Sequence, residues 1–213
     1  GPPSVGEENF TVANELGEVG KAWCQRDAAQ EEHRSVAGID LPAEGAIAIV
    51  GPGTGRGAAC LLRRSNKYFV MDTEGGHLDF PPLDELEDRI LHVLRRRFRR
   101  VSAERIVSGP GLTNLYEVIA EIQGLPVTLT DNRALWTKAL EGSDTMASAA
   151  LERFCLSLGA VSGDLALAHG ARGVVIGGGL GLRLANSLAH SGFAERFVAK
   201  GRFENMMSEM PVK

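Results

Sequence analysis

Two groups of residues near the start of the chain have the types and spacing that ligand binding needs. Glycines stand at positions 51, 53, 55 and 57 with Thr54 between them, and the segment Glu74-Gly75-Gly76-His77 follows. Glycine permits positive φ and lets the backbone approach a ligand closely. Successive N–H groups in such a loop can form a nest for an anion, and a carboxylate and an imidazole can hydrogen-bond to hydroxyl groups. The pattern therefore indicates a phosphate site beside a site for a hydroxylated substrate.

The glycine loop can be compared with three phosphate-binding arrangements. It lacks the Gly-Lys-Ser/Thr ending of a P-loop, and it lacks the full GxGxxG spacing and the following helix of a dinucleotide fingerprint. A glycine-loop hairpin that holds phosphate remains. A tight structural turn without a ligand explains the glycines alone equally well, and the nearby Glu74 and His77 favour the binding interpretation.

Apolar periodicity predicts the elements that would position these residues. The predicted order is strands at 46–50, 58–62 and 68–71, helices at 83–100, 112–123, 131–141 and 143–168, a strand at 174–176, short helices at 191–199 and 202–209, and a strand that opens at 211–212. The first two strands form a hairpin around the glycine loop. The strand at 174–176 runs into three consecutive glycines and then a helix from about Leu182, which is a general arrangement for nucleotide contact.

Four ordered motifs identify a family resemblance. The segments GPGTGRGAA, TEGGHLDF, VSAERIVSGPGLTNLYE and VVIGGGLGLRL are similar to those of the bacterial ATP-dependent glucokinases, in the superfamily of sugar kinases, actin and heat-shock ATPases. The resemblance runs from about Ala46 to Lys213. It implies an α/β fold of the ribonuclease-H-like (actin-like ATPase) type, a large domain that is incomplete at both ends, with a core at 46–213 and a poorly matched N-terminal segment at 1–45.

The resemblance also implies a reaction, which is phosphoryl transfer from ATP to the 6-hydroxyl of glucose, with Mg²⁺ held largely through ATP and water. Glucose and ATP are the expected partners, and another hexose is not excluded. The implied roles are sugar-hydroxyl contacts for Glu74, His77 and Glu104, contact with the transferred phosphate for Gly53, Thr54 and Gly55, and a place in the ATP cleft for Gly177, Gly178 and Gly179.

The catalytic residue remains unknown. Glucokinases carry an Asn-Asp-Phe segment whose Asp is the catalytic base, and the nearest counterpart here is Glu8-Asn9-Phe10. The amide of Asn9 cannot take a proton from a sugar hydroxyl as a carboxylate can. Either this segment is not equivalent, which we favour, or the base is missing. In the second case the chain is a non-catalytic sugar- or nucleotide-binding module derived from a sugar kinase.

Further departures from the family concern the rest of the catalytic apparatus. Within these 213 residues we find no Asp-x-Gly-Gly-Thr-type phosphate loop and no small domain, and Arg56 stands where the family usually has an apolar residue. We therefore expect little turnover from the isolated chain.

Composition excludes several other classes. The net charge of −4 gives no general attraction to nucleic acid or to an anionic membrane, and the arginine run at 95–100 is typical of a solvated helix end. The three cysteines are scattered without CxxC spacing, which predicts neither disulfides nor zinc. No apolar run reaches membrane-spanning length and no signal peptide is visible. We expect a cytoplasmic protein with no nucleic-acid or membrane partner, and a homodimer is one open alternative for its oligomeric state.

Overall fold

The computed structural model describes residues 41–53, 56–65 and 67–213, and these form a sheet with helices packed against it. The strands are β1 (Gly45–Pro52), β2 (Arg56–Arg64), β3 (Lys67–Thr73) and β4 (Ala171–Ile176). They lie in the order β3-β2-β1-β4. β1 pairs antiparallel with β2, and β2 with β3, whereas β1 and β4 are parallel. The predicted α/β class and the predicted hairpin are confirmed.

Seven α-helices lie in the described residues, and four of them begin at a side-chain cap. The seven are α1 (Glu85–Phe98), α2 (Gly109–Gln123), α3 (Asn132–Glu141), α4 (Thr145–Ala168), α5 (Gly178–Ala189), α6 (Phe193–Val198) and α7 (Glu204–Ser208). Asp84, Ser108, Asp131 and Asp144 each accept a hydrogen bond from the N–H three residues later. Such caps satisfy N–H groups that have no partner within the helix. The starts of these four helices lie one to three residues from the predicted ones.

Two predictions near the end of the chain have different outcomes. The predicted strand at 211–212 is confirmed as a parallel bridge to β4, because Val174 N–H donates to the Pro211 carbonyl and Lys213 N–H donates to the Val174 carbonyl. The predicted start of a helix at about Leu182 is wrong, since α5 already begins at Gly178. Gly177 lies in the turn that precedes α5, and Gly178 and Gly179 belong to the first turn of the helix.

The buried core depends on glycines in α4 that allow α6 to approach closely. A Cβ atom on Gly159 would lie 2.2 Å from the Phe193 carbonyl oxygen, and one on Gly163 would lie 2.6 Å from the Phe197 carbonyl oxygen. No side chain fits at such distances, so α4 and α6 are in backbone contact. Cys155 on α4 is fully buried, and burial raises the pKa of its thiol to about 12. None of the helices in the described part of the chain is long and apolar enough to cross a membrane.

Two arginines from different helices meet two carboxylates at the start of α1. Arg153 on α4 and Arg196 on α6 both donate to the Asp84 carboxylate. Arg196 also lies 3.2 Å from the carboxylate of Glu87, whose side chain is only 2% exposed. Burial by itself would raise the Asp84 pKa, but the Glu87 N–H and the two guanidinium groups favour the charged form and lower the pKa overall. These ion pairs connect the start of α1 to α4 and α6.

We expect Asp84→Asn to lower the free energy of unfolding at pH 7. We also expect that free energy to fall less in acid than it does in the wild type. The lowered pKa means that the stabilisation by Asp84 is complete above its ordinary value of 3.8 and is lost as pH falls through the folded value. Asparagine keeps the helix cap but removes the charge, so the free energy of unfolding at pH 7 should fall by about 1–2 kcal/mol. Urea titrations at pH 7 and below pH 4 measure this.

The matched control is Asp88→Asn, in the same helical turn but exposed. It should change the free energy of unfolding by less than about 0.5 kcal/mol. An Asp84→Asn protein that loses as much stability in acid as the wild type would contradict the assignment.

Candidate functional site

The glycine hairpin is attached to the start of α2. The carbonyl oxygen of Gly53, directly after β1, accepts a hydrogen bond from Gly109 N–H at 2.7 Å. A Cβ atom on Gly109 would lie 3.3 Å from that oxygen, so a side chain at position 109 would crowd this hydrogen bond. Thr54 and Gly55, which were also assigned to the phosphate, lie outside the described residues, as does Asn9. The described part of the loop is therefore Gly53 with the ends of the two strands.

The segment after β3 forms a short 3-10 helix, Gly75–His77, that packs directly on the sheet. A Cβ atom on Gly75 would lie 2.9 Å from the Ala58 Cβ on β2 and 2.7 Å from the Leu165 side chain on α4. Packing therefore requires glycine here, independently of any ligand. The result is that the side chains of Glu74 and His77 extend from a rigid support while remaining 70% and 57% exposed.

Glu104 reaches the same place from a second 3-10 helix, Ala103–Arg105. The two segments are joined by backbone hydrogen bonds, from Phe80 N–H to the Val101 carbonyl at 3.0 Å and from Ala103 N–H to the Leu78 carbonyl at 2.7 Å. Asn114 on α2 supports the second segment, because its side-chain amide donates to the Arg105 carbonyl at 2.8 Å.

The three predicted sugar-contact side chains lie together. The Nε2 atom of His77 is 3.4 Å from Glu104 Oε2 and 3.9 Å from Glu74 Oε2. Glu104 is the most covered of the three, with a side chain 29% exposed. The cluster presents two carboxylates, which accept hydrogen bonds, near one imidazole nitrogen that can donate or accept. Such a set can bind neighbouring hydroxyl groups of a polyol.

The glycines at the start of α5 differ in what surrounds them. Gly177 is buried, and its N–H donates to the Val50 carbonyl at 2.9 Å. Gly178, with φ of +83°, and Gly179 are exposed, and a Cβ atom on either would meet nothing within 4 Å. The N–H groups of the first helical turn have no partner within the helix. This end of α5 is therefore open to a ligand, while Gly177 serves the connection to β1.

Two arginines in the middle of the run at the end of α1 are paired with carboxylates, whereas the sequence interpretation assumed that they are surrounded by solvent. Arg96 donates to Glu121 at 2.6 Å, and Arg97 donates to Glu117 at 2.8 Å and to Glu121 at 3.0 Å. These arginines are exposed as predicted, but they are paired with carboxylates of α2. An anion would have to displace those carboxylates, which makes this surface a poor phosphate site.

Two contacts of the site could not be found from the sequence. Asn114 acts through a backbone carbonyl nine residues away, and Arg100 donates to the His77 carbonyl from the end of α1. Neither residue belongs to a charge or glycine pattern that indicates a site, and both contacts follow from tertiary packing.

Metal-binding residues are not assembled as a cage in the part of the chain that the structure describes. No group of three or more His, Cys, Asp or Glu side chains there could hold a metal ion. A cation at this site would need ligands from the substrate and from water.

Comparisons with known proteins place nearly the whole chain in a family. The family model for glucokinase matches residues 5–213, which extends the family match well before the motifs that begin at Ala46. A curated glucokinase from Zymomonas mobilis is 58% identical over 208 residues, which is 97% of this chain and 64% of the relative. The chain thus spans less than two thirds of the length of that relative. The boundary between residues 45 and 46 stays a prediction.

Two solved structures share the fold. A glucokinase from an Antarctic psychrotroph is 34% identical with a TM-score of 0.80, and the match covers 90% of this chain and 60% of that one. A glucokinase from Balamuthia mandrillaris, solved in complex with glucose, has a TM-score of 0.78 at 18% identity, covering 94% of this chain and 59% of that one. The second likeness concerns the fold alone. Because the family model covers nearly all of its residues, the chain belongs to the glucokinase family.

Proposed function

We propose that this chain carries the sugar site and the phosphate-binding hairpin of an ATP-dependent glucokinase, which transfers a phosphoryl group from ATP to the 6-hydroxyl of glucose. The observation that carries the proposal is the meeting of Glu74, His77 and Glu104 at the glycine hairpin, with 3.4 Å between His77 and Glu104. The 58% identity to a glucokinase supports it.

In this proposal the three side chains select and orient the sugar. Glu74 and Glu104 accept hydrogen bonds from sugar hydroxyls, and His77 donates or accepts one. A polar group that is covered by protein and loses its partner is costly, so a sugar that lacks the hydroxyl facing Glu104, which is 29% exposed, should bind more weakly. Glu104, the most covered carboxylate, should contribute most to this selection.

The glycines provide the phosphate contacts of the proposal. Gly53, Thr54 and Gly55 would hold the transferred phosphoryl group, and Gly177, Gly178 and Gly179 would line the ATP cleft. A Cβ atom on Gly178 or Gly179 would meet nothing within 4 Å, and a helix N-terminus attracts phosphate, which supports this placement of the nucleotide. Mg²⁺ would come with the ATP phosphates and supply charge neutralisation, since the described residues offer no cage for it. Phosphoryl transfer needs mostly such positioning and neutralisation.

The base that removes the hydroxyl proton is not assigned. Asn9 is the nearest counterpart of the family's Asp, and its amide cannot act as a base. If the two segments are equivalent, the missing carboxylate supports the second candidate function, a non-catalytic sugar- or nucleotide-binding module. A cytoplasmic location fits the use of ATP, and a homodimer stays a prediction that light scattering after gel filtration would decide.

We expect the purified 213-residue chain to bind glucose but to show little or no turnover. The reason is the missing carboxylate at Asn9 and the missing first phosphate loop. Calorimetry with glucose measures binding, and an assay coupled to glucose-6-phosphate oxidation measures turnover. Turnover at the rate of a complete glucokinase would contradict this expectation and would also reject the non-catalytic alternative.

We expect Glu104→Gln to weaken glucose binding by about tenfold to a hundredfold, because a carboxylate accepts stronger hydrogen bonds than an amide. The matched control is Glu117→Gln, which removes an ion-paired and similarly covered carboxylate outside the site, 38% exposed against 29% for Glu104. Glucose affinity should be unchanged in the control. Equal affinity of the Glu104→Gln chain and the wild type would reject the sugar-site assignment.

We expect Gly53→Val to weaken ATP binding, since a β-branched side chain would keep phosphate from the loop backbone. A double Arg95→Gln, Arg96→Gln variant should leave ATP affinity nearly unchanged, because Arg96 is already paired with Glu121. ATP titrations of both variants decide between the two surfaces. A large loss from the arginine pair with none from Gly53 would move the phosphate site to α1.

A further inference from the structure

The end of α1 contains a strained backbone turn that a helix end does not require. Arg99 has φ of 60° and ψ of −62°, and Arg100 N–H donates to the Phe98 carbonyl at 2.6 Å. These values describe a γ-turn with positive φ, which is rare and strained. A residue with a Cβ atom seldom adopts positive φ, and such strain is retained where the surrounding structure enforces it, most often near functional sites.

The turn directs Arg100 back towards the candidate sugar site. Its Nη2 group donates to the His77 carbonyl at 2.6 Å, and its Nε lies 2.8 Å from the Asp79 carboxylate. One guanidinium therefore holds two residues of the segment that carries His77. Immediately after the turn, Val101 begins the backbone pairing that leads to Glu104. The same few residues thus set the position of both His77 and Glu104.

Folding stability does not explain this arrangement. The Arg100 and Asp79 side chains are 62% and 76% exposed, and ion pairs at such positions contribute little to stability. The positive φ at Arg99 costs stability, and glycine would adopt it without strain. The turn and the exposed ion pair together therefore have a small or unfavourable net effect on folding stability. What they do is fix the position of Arg100 against the segment that carries His77.

We propose that Arg100 is a positioning residue for sugar binding, which acts by holding the His77 backbone so that the imidazole stays beside Glu104. This inference rests on the proposed function, because the sugar is the ligand assigned to that cluster. Arg100 itself need not touch the substrate. Its guanidinium has the planar set of donors that can serve a carbonyl and a carboxylate at once, which a lysine cannot match.

The test compares Arg100→Gln with Arg96→Gln. The control is closely matched, since the Arg96 side chain is 61% exposed and its ion pair is 2.6 Å long. We expect Arg100→Gln to weaken glucose binding about tenfold by calorimetry, with Tm changed by less than about 3 °C. Arg96→Gln should leave glucose affinity unchanged, and Arg100→Lys should restore part of it, because lysine can keep one of the two contacts.

A second readout does not depend on the sugar. In imidazole ¹⁵N spectra of the full chain, His77 should give one sharp set of signals in the wild type and in Arg96→Gln. Arg100→Gln should broaden or split those signals, since the ring is no longer held in one place. Unchanged His77 signals in Arg100→Gln would overturn the proposal, and so would glucose affinity that is equal in Arg100→Gln and the wild type or that falls equally in Arg96→Gln. If the wild-type chain binds no glucose, the proposed function fails while the His77 spectra still decide the role of Arg100.

Discussion

Backbone hydrogen bonds at the carboxyl end of β1 hold the candidate phosphate and nucleotide segments side by side. The Val50 carbonyl accepts from Gly177 N–H at 2.9 Å, and the Gly53 carbonyl accepts from Gly109 N–H at 2.7 Å. β1 also lies between β2 and β4 in the sheet. The hairpin loop, the start of α2 and the start of α5 therefore meet at one sheet edge. In open α/β sheets, ligands bind outside the carboxyl ends of parallel strands, and β1 and β4 end at this edge.

The many glycines of the sequence have two different causes, and the structure separates them. A Cβ atom on Gly111 would lie 2.0 Å from the Ile106 carbonyl oxygen, and one on Gly159 would lie 2.2 Å from the Phe193 carbonyl oxygen, so these glycines are needed for packing. Gly178 and Gly179 border open space, where a side chain would meet no protein atom. Conformation or ligand approach remains as the reason for glycine there. A glycine motif alone could not show which of its members serve which purpose.

The sequence predicted the features that depend on local patterns. Strand pairing around the glycine loop follows from short apolar runs, and the existence of the four long helices follows from apolar periodicity, although their starts lie one to three residues from the predicted ones. It also predicted that Glu74, His77 and Glu104 share a site, but only through a family resemblance. The start of α5 was predicted too late because glycine has low helix propensity. In the structure the glycines are part of the helix, and Gly181 packs closely against Ile176 at the end of β4.

Other features depend on contacts between distant segments, and no local pattern predicts them. The ion pairs of Arg96 and Arg97 require α2 to lie beside α1 with its carboxylates facing them. The turn at Arg99 is the opposite of what residue preference predicts, because arginine rarely takes positive φ. Both features follow from tertiary structure overriding local preference, which is common near functional sites.

The candidate sugar site, formed by Glu74, His77 and Glu104, is largely exposed to solvent. That exposure limits how tightly these three side chains could bind a sugar on their own. A hydrogen bond to a charged group contributes about 1.5–3 kcal/mol, and less where water competes. After the cost of ordering the ligand, three such bonds leave a few kcal/mol, and about 4 kcal/mol corresponds to a dissociation constant near 1 mM. His77 and Glu74 are more than half exposed, so tighter binding requires additional protein surface that excludes water. If the cluster binds a sugar, its contacts are few and their fixed geometry must provide the selectivity. The residues that hold His77 and Glu104 in place then matter as much as the two side chains themselves.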